Sequence, residues 1–310
     1  MQELTYQDAF DAYNQGALDK AIRICQANLL DAPEYCILLS QCHWAKGNIA
    51  EALLLPHPTP ETSPEVAARI RAQKGFVLAQ TGRFAEAREE LWKALRLAET
   101  YGQDALVASI QVNRGTLFFH LNDLAQMEQC AREALAIAER LGDKQTEGSA
   151  CAGLAKSYKL REEWGEAIHW YERALQVIES VHSAFYVSWM QSELGCMYLI
   201  WREYDKAMQL FVEALKYAQN AGARACEHTD LANIGYVHLC RGEYAKALSL
   251  FQEALGIARE IQDDISAVKW MQNLARTYTL MGSPNLAASY QREADEVVRK
   301  VSGARALAAS

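Results

Sequence analysis

The chain of 310 residues has few of the residues that interrupt helices. It contains six prolines and 17 glycines, which are too few for a disordered or collagen-like chain. Runs of β-branched residues are scarce, whereas alanine, leucine, glutamate, lysine and arginine dominate. Because these residues are strong helix formers, the sequence predicts an all-α protein. Hydrophobic residues make up 50% of the chain, which is enough to bury a substantial core.

The chain also lacks long apolar segments and clusters of positive charge. No stretch reaches the roughly 18–20 consecutive apolar residues that span a membrane, and the N-terminal segment MQELTYQDAFDAYNQG lacks the basic and apolar regions of a secretory signal. The formal net charge is −8 and no Lys/Arg-rich run occurs, so a polyanion would be repelled. These absences predict a cytoplasmic protein with neither a membrane nor a nucleic-acid partner.

The eight cysteines and seven histidines show none of the spacings typical of metal or catalytic sites. No CxxC, HExxH, phosphate-binding loop or nucleophile elbow occurs. We expect the cysteines to be reduced thiols of the core. The segment CEHTD at 226–230 is a local cluster of ligand types, but at a helix start it favours capping and solvent-facing polarity over metal binding. We therefore predict no catalytic residue, metal site or cofactor.

The strongest signal in the sequence is a repeat of forty residues. The similar segments EWGEAIHWYERALQVIE, EYDKAMQLFVEALKYAQ and EYAKALSLFQEALGIAR begin at positions 163, 203 and 243. Apolar residues within each copy recur every three to four positions, as on one face of a helix. Two columns of small residues run through six copies: Ala94, Ala134, Ala174, Ala214, Ala254 and Ala294, and Gly75, Gly115, Ala155, Gly195, Gly235 and Ala275. Each copy is thus predicted to be a helical hairpin.

The small residues have a physical cause. Two packed helices approach to about 8 Å only where the residues at their crossing lack bulk. One hairpin cannot bury its apolar face alone, so neighbouring hairpins must stack. The sequence therefore predicts an α-solenoid of about eight antiparallel helical hairpins. Two shorter hairpins occupy residues 1–55, a proline-rich loop 56–64, six forty-residue hairpins 65–302, and a C-terminal tail 303–310.

This pattern resembles that of the tetratricopeptide repeat family. The family's motif is met by Leu194-Gly195, Tyr198, Tyr204, Ala207, Phe211 and Ala214, and again by Ile234-Gly235, Tyr244, Ala247, Phe251 and Ala254. The longer spacing, in place of the roughly 34 residues that are usual, is similar to kinesin light chains, to sensor arrays of bacterial signalling proteins and to the arrays that precede caspase-like CHAT domains. The resemblance implies a right-handed superhelix whose first helices line a concave groove.

Residues two before, three before and one after each small residue of a first helix turn toward this groove if the family's arrangement holds. Asparagine recurs in the first of these columns, and its amide can bond both groups of a peptide backbone. The alternative is that the asparagines cap or bridge neighbouring helices, and that each lysine or arginine covers a solvated helix face. The predicted peptide-binding residues are Gln73, Asn113, Lys156, Lys159, Trp189, Glu193, Asn233, Tyr236, Lys269, Asn273 and Arg276.

The predicted function is a non-catalytic scaffold that binds an extended peptide or a partner protein in the groove. The basic residues favour a partner with acidic side chains or a free carboxylate. An alternative is a regulatory or sensor array that controls an effector, such as a CHAT-type protease, on another chain or a longer one. A third hypothesis is an enzyme built from scattered residues such as His120, Glu193 and Cys196. Self-association through an end hairpin is a further expectation.

Overall fold

The computed structural model describes residues 4–15, 17–28, 33–46, 48–59, 61–179, 184–261 and 263–308. Within these ranges every regular element is a helix, which confirms the predicted all-α class. The helices are α1 (Tyr6–Asn14), α2 (Leu18–Ala27), α3 (Pro33–Ala45), α4 (Ile49–Ala52), α5 (Pro64–Gln80), α6 (Phe84–Thr100), α7 (Asp104–His120), α8 (Leu124–Leu141), α9 (Lys144–Leu160), α10 (Trp164–Glu179), α11 (Ala184–Ile200), α12 (Tyr204–Ala221), α13 (Arg224–Cys240), α14 (Tyr244–Glu260), α15 (Asp264–Leu280) and α16 (Pro284–Ala308).

Successive helices pair as hairpins, and the hairpins stack. The chain forms two compact units, Met1–Leu194 (unit 1) and Gly195–Ser310 (unit 2). In unit 1, α5 contacts α6, α7 contacts α8, and α9 contacts α10; in unit 2, α13 contacts α14 and α15 contacts α16. First helices also contact each other, as in α5 with α7, α7 with α9, and α13 with α15. The prediction of stacked helical hairpins is therefore confirmed within each unit.

The two ends of the array differ from the regular hairpins. In the second hairpin α4 has four residues, and Pro56 and Pro58 follow in non-helical chain because proline lacks an amide donor. Helix α5 begins at Pro64, where Oγ of Ser63 accepts a hydrogen bond from the backbone of Val66 at 3.3 Å. At the other end α16 continues to Ala308. The boundary expected at residue 302 thus falls inside a helix, in a segment rich in strong helix formers.

Small residues lie where the two helices of a hairpin cross. The column from Ala94 to Ala294 is fully buried, at 0% exposure in all six copies. A β-carbon at Gly195 would lie 2.7 Å from Cε1 of Phe211, and one at Gly75 would lie 2.6 Å from Cγ of Leu91. At Gly115 the nearest atom would be 3.7 Å away. Close approach thus requires glycine in some hairpins, whereas the α7–α8 crossing has room for a methyl group.

The turn inside each forty-residue hairpin contains one residue in the left-handed region. At this position φ lies between 57° and 80°, with glycine at Gly82, Gly242 and Gly282 and a larger residue at Asn122, Glu162 and Arg202. A β-carbon makes this conformation cost about 1–2 kcal/mol, and asparagine tolerates it better than other residues. The turns at Glu162 and Arg202 are therefore strained relative to the glycine turns.

The CEHTD segment lies in the interior of unit 2. Glu227, His228 and Asp230 are 8%, 1% and 2% exposed, because α13 is covered by α12 and α15. The expectation of solvent-facing polarity at this helix start is wrong. No cluster of three or more metal-ligand side chains occurs among the residues described. Over the same ranges, no helix combines the length and apolar character needed to cross a membrane.

Substituting alanine for glycine distinguishes the tight crossing from the loose one. Gly195→Ala is expected to lower the free energy of unfolding by about 1–3 kcal/mol, because the methyl group overlaps the Phe211 ring. Gly115→Ala is the matched control and is expected to raise it by about 0.5–1 kcal/mol, since alanine favours the helix and meets no close atom. Denaturant unfolding measures both. Equal effects of the two substitutions would contradict the packing described.

Replacing Glu162 by glycine tests the strain in its turn. With φ at 62°, removal of the β-carbon is expected to raise the free energy of unfolding by about 1 kcal/mol. Glu163→Gly provides the comparison, because the neighbouring residue does not have positive φ and loses only backbone order. A decrease in stability for both variants would show that the turn at Glu162 is not strained.

Candidate binding surfaces on the first helices

The predicted binding residues lie on the first helices of the hairpins and form three sets. Gln73 and Asn113 lie on α5 and α7 of unit 1. The Lys156 cluster, also in unit 1, comprises the predicted Lys156, Lys159, Trp189 and Glu193 together with Phe119 and Tyr171, which were not predicted. The α13–α15 face, in unit 2, comprises Asn233, Tyr236, Lys269, Asn273 and Arg276.

Gln73 and Asn113 bridge neighbouring helices. Gln73 is buried, with 7% exposed, and its Nε2 donates to Oγ of Ser40 at 3.1 Å. Ser40 in turn donates to the carbonyl of Ala52 at 2.6 Å. Nδ2 of Asn113 donates to the carbonyl of Ala72 at 3.3 Å. Both amides thus bridge neighbouring helices, which was the alternative to peptide binding. Because Gln73 is buried, it is not placed to hold a ligand.

Lys156 extends between two aromatic rings of the Lys156 cluster. Its Nζ lies 4.8 Å from the ring centroid of Phe119 on α7 and 5.1 Å from that of Trp189 on α11. Such contacts favour the charged form of the amine through the negative ring faces. In the described part of the chain this ammonium has no hydrogen-bond acceptor, although it carries three donors.

Glu193 binds the second lysine of the cluster. Its Oε2 accepts hydrogen bonds from Nζ of Lys159 at 2.9 Å and from the hydroxyl of Tyr171 at 3.1 Å. Burial raises the pKa of Glu193, but Lys159 and Lys156 outweigh burial and hold the pKa below its usual range. Burial lowers the pKa of Lys156, with Glu193 opposing and Lys159 adding to the effect. Among the described residues of the cluster, two lysines face one carboxylate, which leaves one excess positive charge when both amines are protonated.

Tyr171 belongs to this cluster but was not among the residues predicted from the sequence. It lies on α10, a second helix, and is fully buried at 0% exposure. Phe211 and Phe251 occupy its position in the next two repeats. A hydroxyl on a buried ring needs a polar partner. A tyrosine where the next two repeats have phenylalanine was therefore the sequence signal that Tyr171 has a polar partner.

His120, a residue of the enzyme hypothesis, contacts an amide and an aromatic ring among the described residues. Its Nε2 lies 3.1 Å from Oε1 of Gln80, and its ring stacks on that of Phe84 with centroids 6.0 Å apart. Burial lowers the pKa of His120, and Lys156 lowers it further. Glu193, a second residue of the enzyme hypothesis, is bound by Lys159 and Tyr171.

The α13–α15 face carries two amides that differ from Asn113. Asn233 and Asn273 are half-buried, and their side chains form no hydrogen bond to any other residue that the structure describes. Beside them, Nη1 of Arg276 donates to the hydroxyl of Tyr236 at 3.0 Å, and the guanidinium carbon lies 5.7 Å from the ring centroid. Lys269 is exposed one turn before Asn273. This face therefore combines two amide groups that are open to a ligand with the ring of Tyr236 and the guanidinium of Arg276, which contact each other.

The sequence profile of the tetratricopeptide repeat family matches residues 66–140, 149–220 and 228–300. No curated protein sequence matches the chain. Several solved structures are similar to it at low identity, and such a likeness shows the fold alone.

One of them is a signal transduction ATPase with numerous domains from Pyrococcus horikoshii that has a tetratricopeptide repeat sensor. It is 16% identical with a TM-score of 0.66, over 93% of this chain and 46% of that one. A Rap protein complexed with competence and sporulation factor is 13% identical, with a TM-score of 0.63 over 97% and 98% of the two chains. NprR in complex with its cognate peptide NprX is 15% identical, with a TM-score of 0.59 over 94% and 76%. Since the three matched segments span more than half of the sequence and the hairpins stack as in these structures, the chain belongs to the tetratricopeptide repeat family.

Proposed function

We propose that the chain is a non-catalytic interaction protein that binds an extended peptide, alone or as part of a partner protein, on its first helices. The open amides of Asn233 and Asn273 carry this proposal. They lie on adjacent first helices that contact each other, and each can donate to and accept from a peptide backbone. Asn113 occupies the same column but is bonded to Ala72.

The solved structures support the same function. NprR is in complex with its cognate peptide, and the Rap protein is in complex with competence and sporulation factor. Folds of this family are typically non-catalytic, and function depends on the site that a fold carries. The amides on the α13–α15 face are such a site for a peptide.

The Lys156 cluster adds a preference for an acidic partner. Its single excess positive charge and the unbonded ammonium of Lys156 favour one carboxylate, either an acidic side chain or a chain terminus. The rings of Phe119 and Trp189 reduce the access of water to this ammonium, which strengthens such a bond.

A sensor or regulatory array is the second candidate function. The similarity to the Pyrococcus horikoshii protein favours it, because this chain spans 46% of a protein whose repeats are described as a sensor. Control of an effector such as a CHAT-type protease stays a hypothesis. Predictions from the sequence that stay untested are the cytoplasmic location, self-association, and the absence of nucleic-acid, membrane and cofactor partners.

Panning a random peptide display library on the full-length protein tests the proposed function. Peptides enriched on the wild type are expected to bind Asn233→Ala/Asn273→Ala at least about tenfold more weakly, because two backbone bonds are lost. Thermal unfolding of this double variant should remain nearly unchanged, since neither amide bonds to another residue that the structure describes.

Asn113→Ala is the matched control. It should lower the thermal midpoint, because the side-chain bond that connects α7 to the carbonyl of Ala72 on α5 is lost, and it should leave affinity for a peptide on the α13–α15 face unchanged. Equal destabilisation by both sets of substitutions, or enrichment of the same peptides on the double variant, would refute the proposed role of the amides.

A charge-neutralising cycle tests the preference for a carboxylate. Lys156→Met is expected to lower the affinity for an acidic peptide enriched in the same panning about tenfold, since a charge-assisted bond is lost. The same peptide with amides in place of its carboxylates should bind wild type and variant equally. Calorimetry measures both, with Lys93→Met, an exposed lysine on a second helix, as the control. If Lys156→Met lowers the affinity for the neutral peptide as well, Lys156 does not bind a carboxylate of the peptide.

A further inference from the structure

His228 lies in the interior of unit 2, between α13 and α15, with 1% of its surface exposed. Its two ring nitrogens face different residues. Nδ1 lies 3.3 Å from Nε1 of Trp270 and 3.4 Å from Oγ1 of Thr229, and Nε2 lies 3.6 Å from Oδ2 of Asp263. The imidazole and indole rings meet edge to face, with centroids 5.9 Å apart. Binding of a peptide to the α13–α15 face does not use this side chain directly.

The contact with Trp270 determines where the proton of His228 lies. An indole nitrogen only donates, so Nδ1 of His228 must be the acceptor. The proton of the neutral imidazole is then on Nε2, directed at Asp263. Asp263 also caps α15, because its Oδ1 accepts from the backbone of Ser266 at 3.0 Å. Neutral His228 thus bonds to the second turn of α15 through Trp270, while its Nε2 faces Asp263 at the start of α15 without forming a hydrogen bond.

Protonation of His228 is incompatible with this arrangement. An imidazolium carries a proton on both nitrogens and cannot accept from Trp270. Acidification therefore places the Nδ1 proton against the indole proton of Trp270. Oγ1 of Thr229, which donates to the carbonyl of Ala225, is the acceptor within reach of the new proton. Acidification also strengthens the attraction of Nε2 to Asp263. Burial holds the pKa of His228 below its usual range, although Asp263 and Glu227 favour the charged form and Arg224 opposes it.

The other charged groups around His228 have partners of their own. Nη1 of Arg224 binds Glu227 at 2.6 Å, and its Nη2 binds Glu260 of α14. From α12, Gln219 donates to Glu227 at 3.5 Å. Asp230 is buried further along α13. Of the side chain types present here, only histidine has an ordinary pKa between about 5 and 8.

We propose that the contact between His228 and Trp270 is an acid-sensitive link between α13 and α15, and that its loss weakens ligand binding on the α13–α15 face. Trp270 directly follows Lys269 and lies within one turn of Asn273 on α15. A shift of α15 after release of Trp270 therefore moves both residues relative to Asn233 on α13. Only this last step rests on the proposed peptide-binding function.

Nuclear magnetic resonance of the full-length protein tests the link without any ligand. On acidification from about pH 7.5 to about pH 5.5, the indole proton of Trp270 is expected to lose its hydrogen-bonded shift in step with the titration of His228. That titration should lie below the ordinary value of about 6.5. In Trp270→Phe, which removes the opposing donor, it should move to higher pH.

Thermal unfolding over the same range gives a second, independent readout. Because the pKa of His228 is lower in the folded state, the unfolded chain binds more protons below about pH 6.5, and stability falls as the pH decreases. His228→Asn retains an acceptor for Trp270 but does not titrate, so its profile should be flatter. His57→Asn is the control, since His57 is an exposed residue of unit 1 in the chain before α5, and the variant should keep the wild-type slope.

A peptide selected on the α13–α15 face tests the regulatory step. It is expected to bind wild type roughly fivefold more weakly in acid and to bind His228→Asn equally at both pH values. The proposal is overturned if wild type and His228→Asn show the same pH profile, or if His228 titrates while the indole proton stays unchanged. If the indole proton and the unfolding profile respond to pH as expected but no peptide binds, the acid-sensitive contact is supported and only the proposed peptide-binding function is refuted.

Discussion

The close approach of two helices at a small residue is the constraint on which the structure depends. Gly195 meets the ring of Phe211, and Gly75 meets the side chain of Leu91, at distances that leave no room for a methyl group. Repetition of this crossing every forty residues gives each hairpin the same shape, and hairpins of one shape stack with their first helices side by side. The alignment of α13 with α15, and of α7 with α9, therefore follows from the packing and brings polar residues of successive repeats onto common faces.

The fold could be predicted from the sequence because repeat packing is periodic. The alanine columns, the hairpin turns and the end of the second hairpin before Pro56 all follow from residue spacing and from the backbone chemistry of proline and glycine. Partners of individual side chains could not be predicted in this way. Asn113 and Asn233 share one column. Asn113 donates to the carbonyl of Ala72, whereas the side chain of Asn233 bonds to none of the residues that the structure describes. A difference of this kind depends on small shifts between neighbouring helices, which the repeat does not encode.

Polar residues at one repeat position thus perform different tasks in different hairpins. At the column of Gln73 the amide is enclosed, at Glu193 a carboxylate neutralises Lys159, and at Asn273 the amide stays open. Some polar groups that the sequence predicts at the surface are buried. The imidazole of His228, predicted to face solvent, contacts α15 from α13 in the interior of unit 2. An acidic chain with a net charge of −8 still contains a local excess of positive charge at Lys156, because pairing, rather than composition, determines the charge that a ligand meets.

The central claim is that open amides on adjacent first helices hold a peptide backbone, and the side-chain amide resonances of the asparagines report on it directly. On titration of the full-length protein with a peptide selected for binding, we expect downfield shifts of the Asn233 and Asn273 amide protons. Those of Asn113, already bonded within the protein, should stay unchanged. Shifts confined to residues of the second helices, with Asn233 and Asn273 unaffected, would contradict the account.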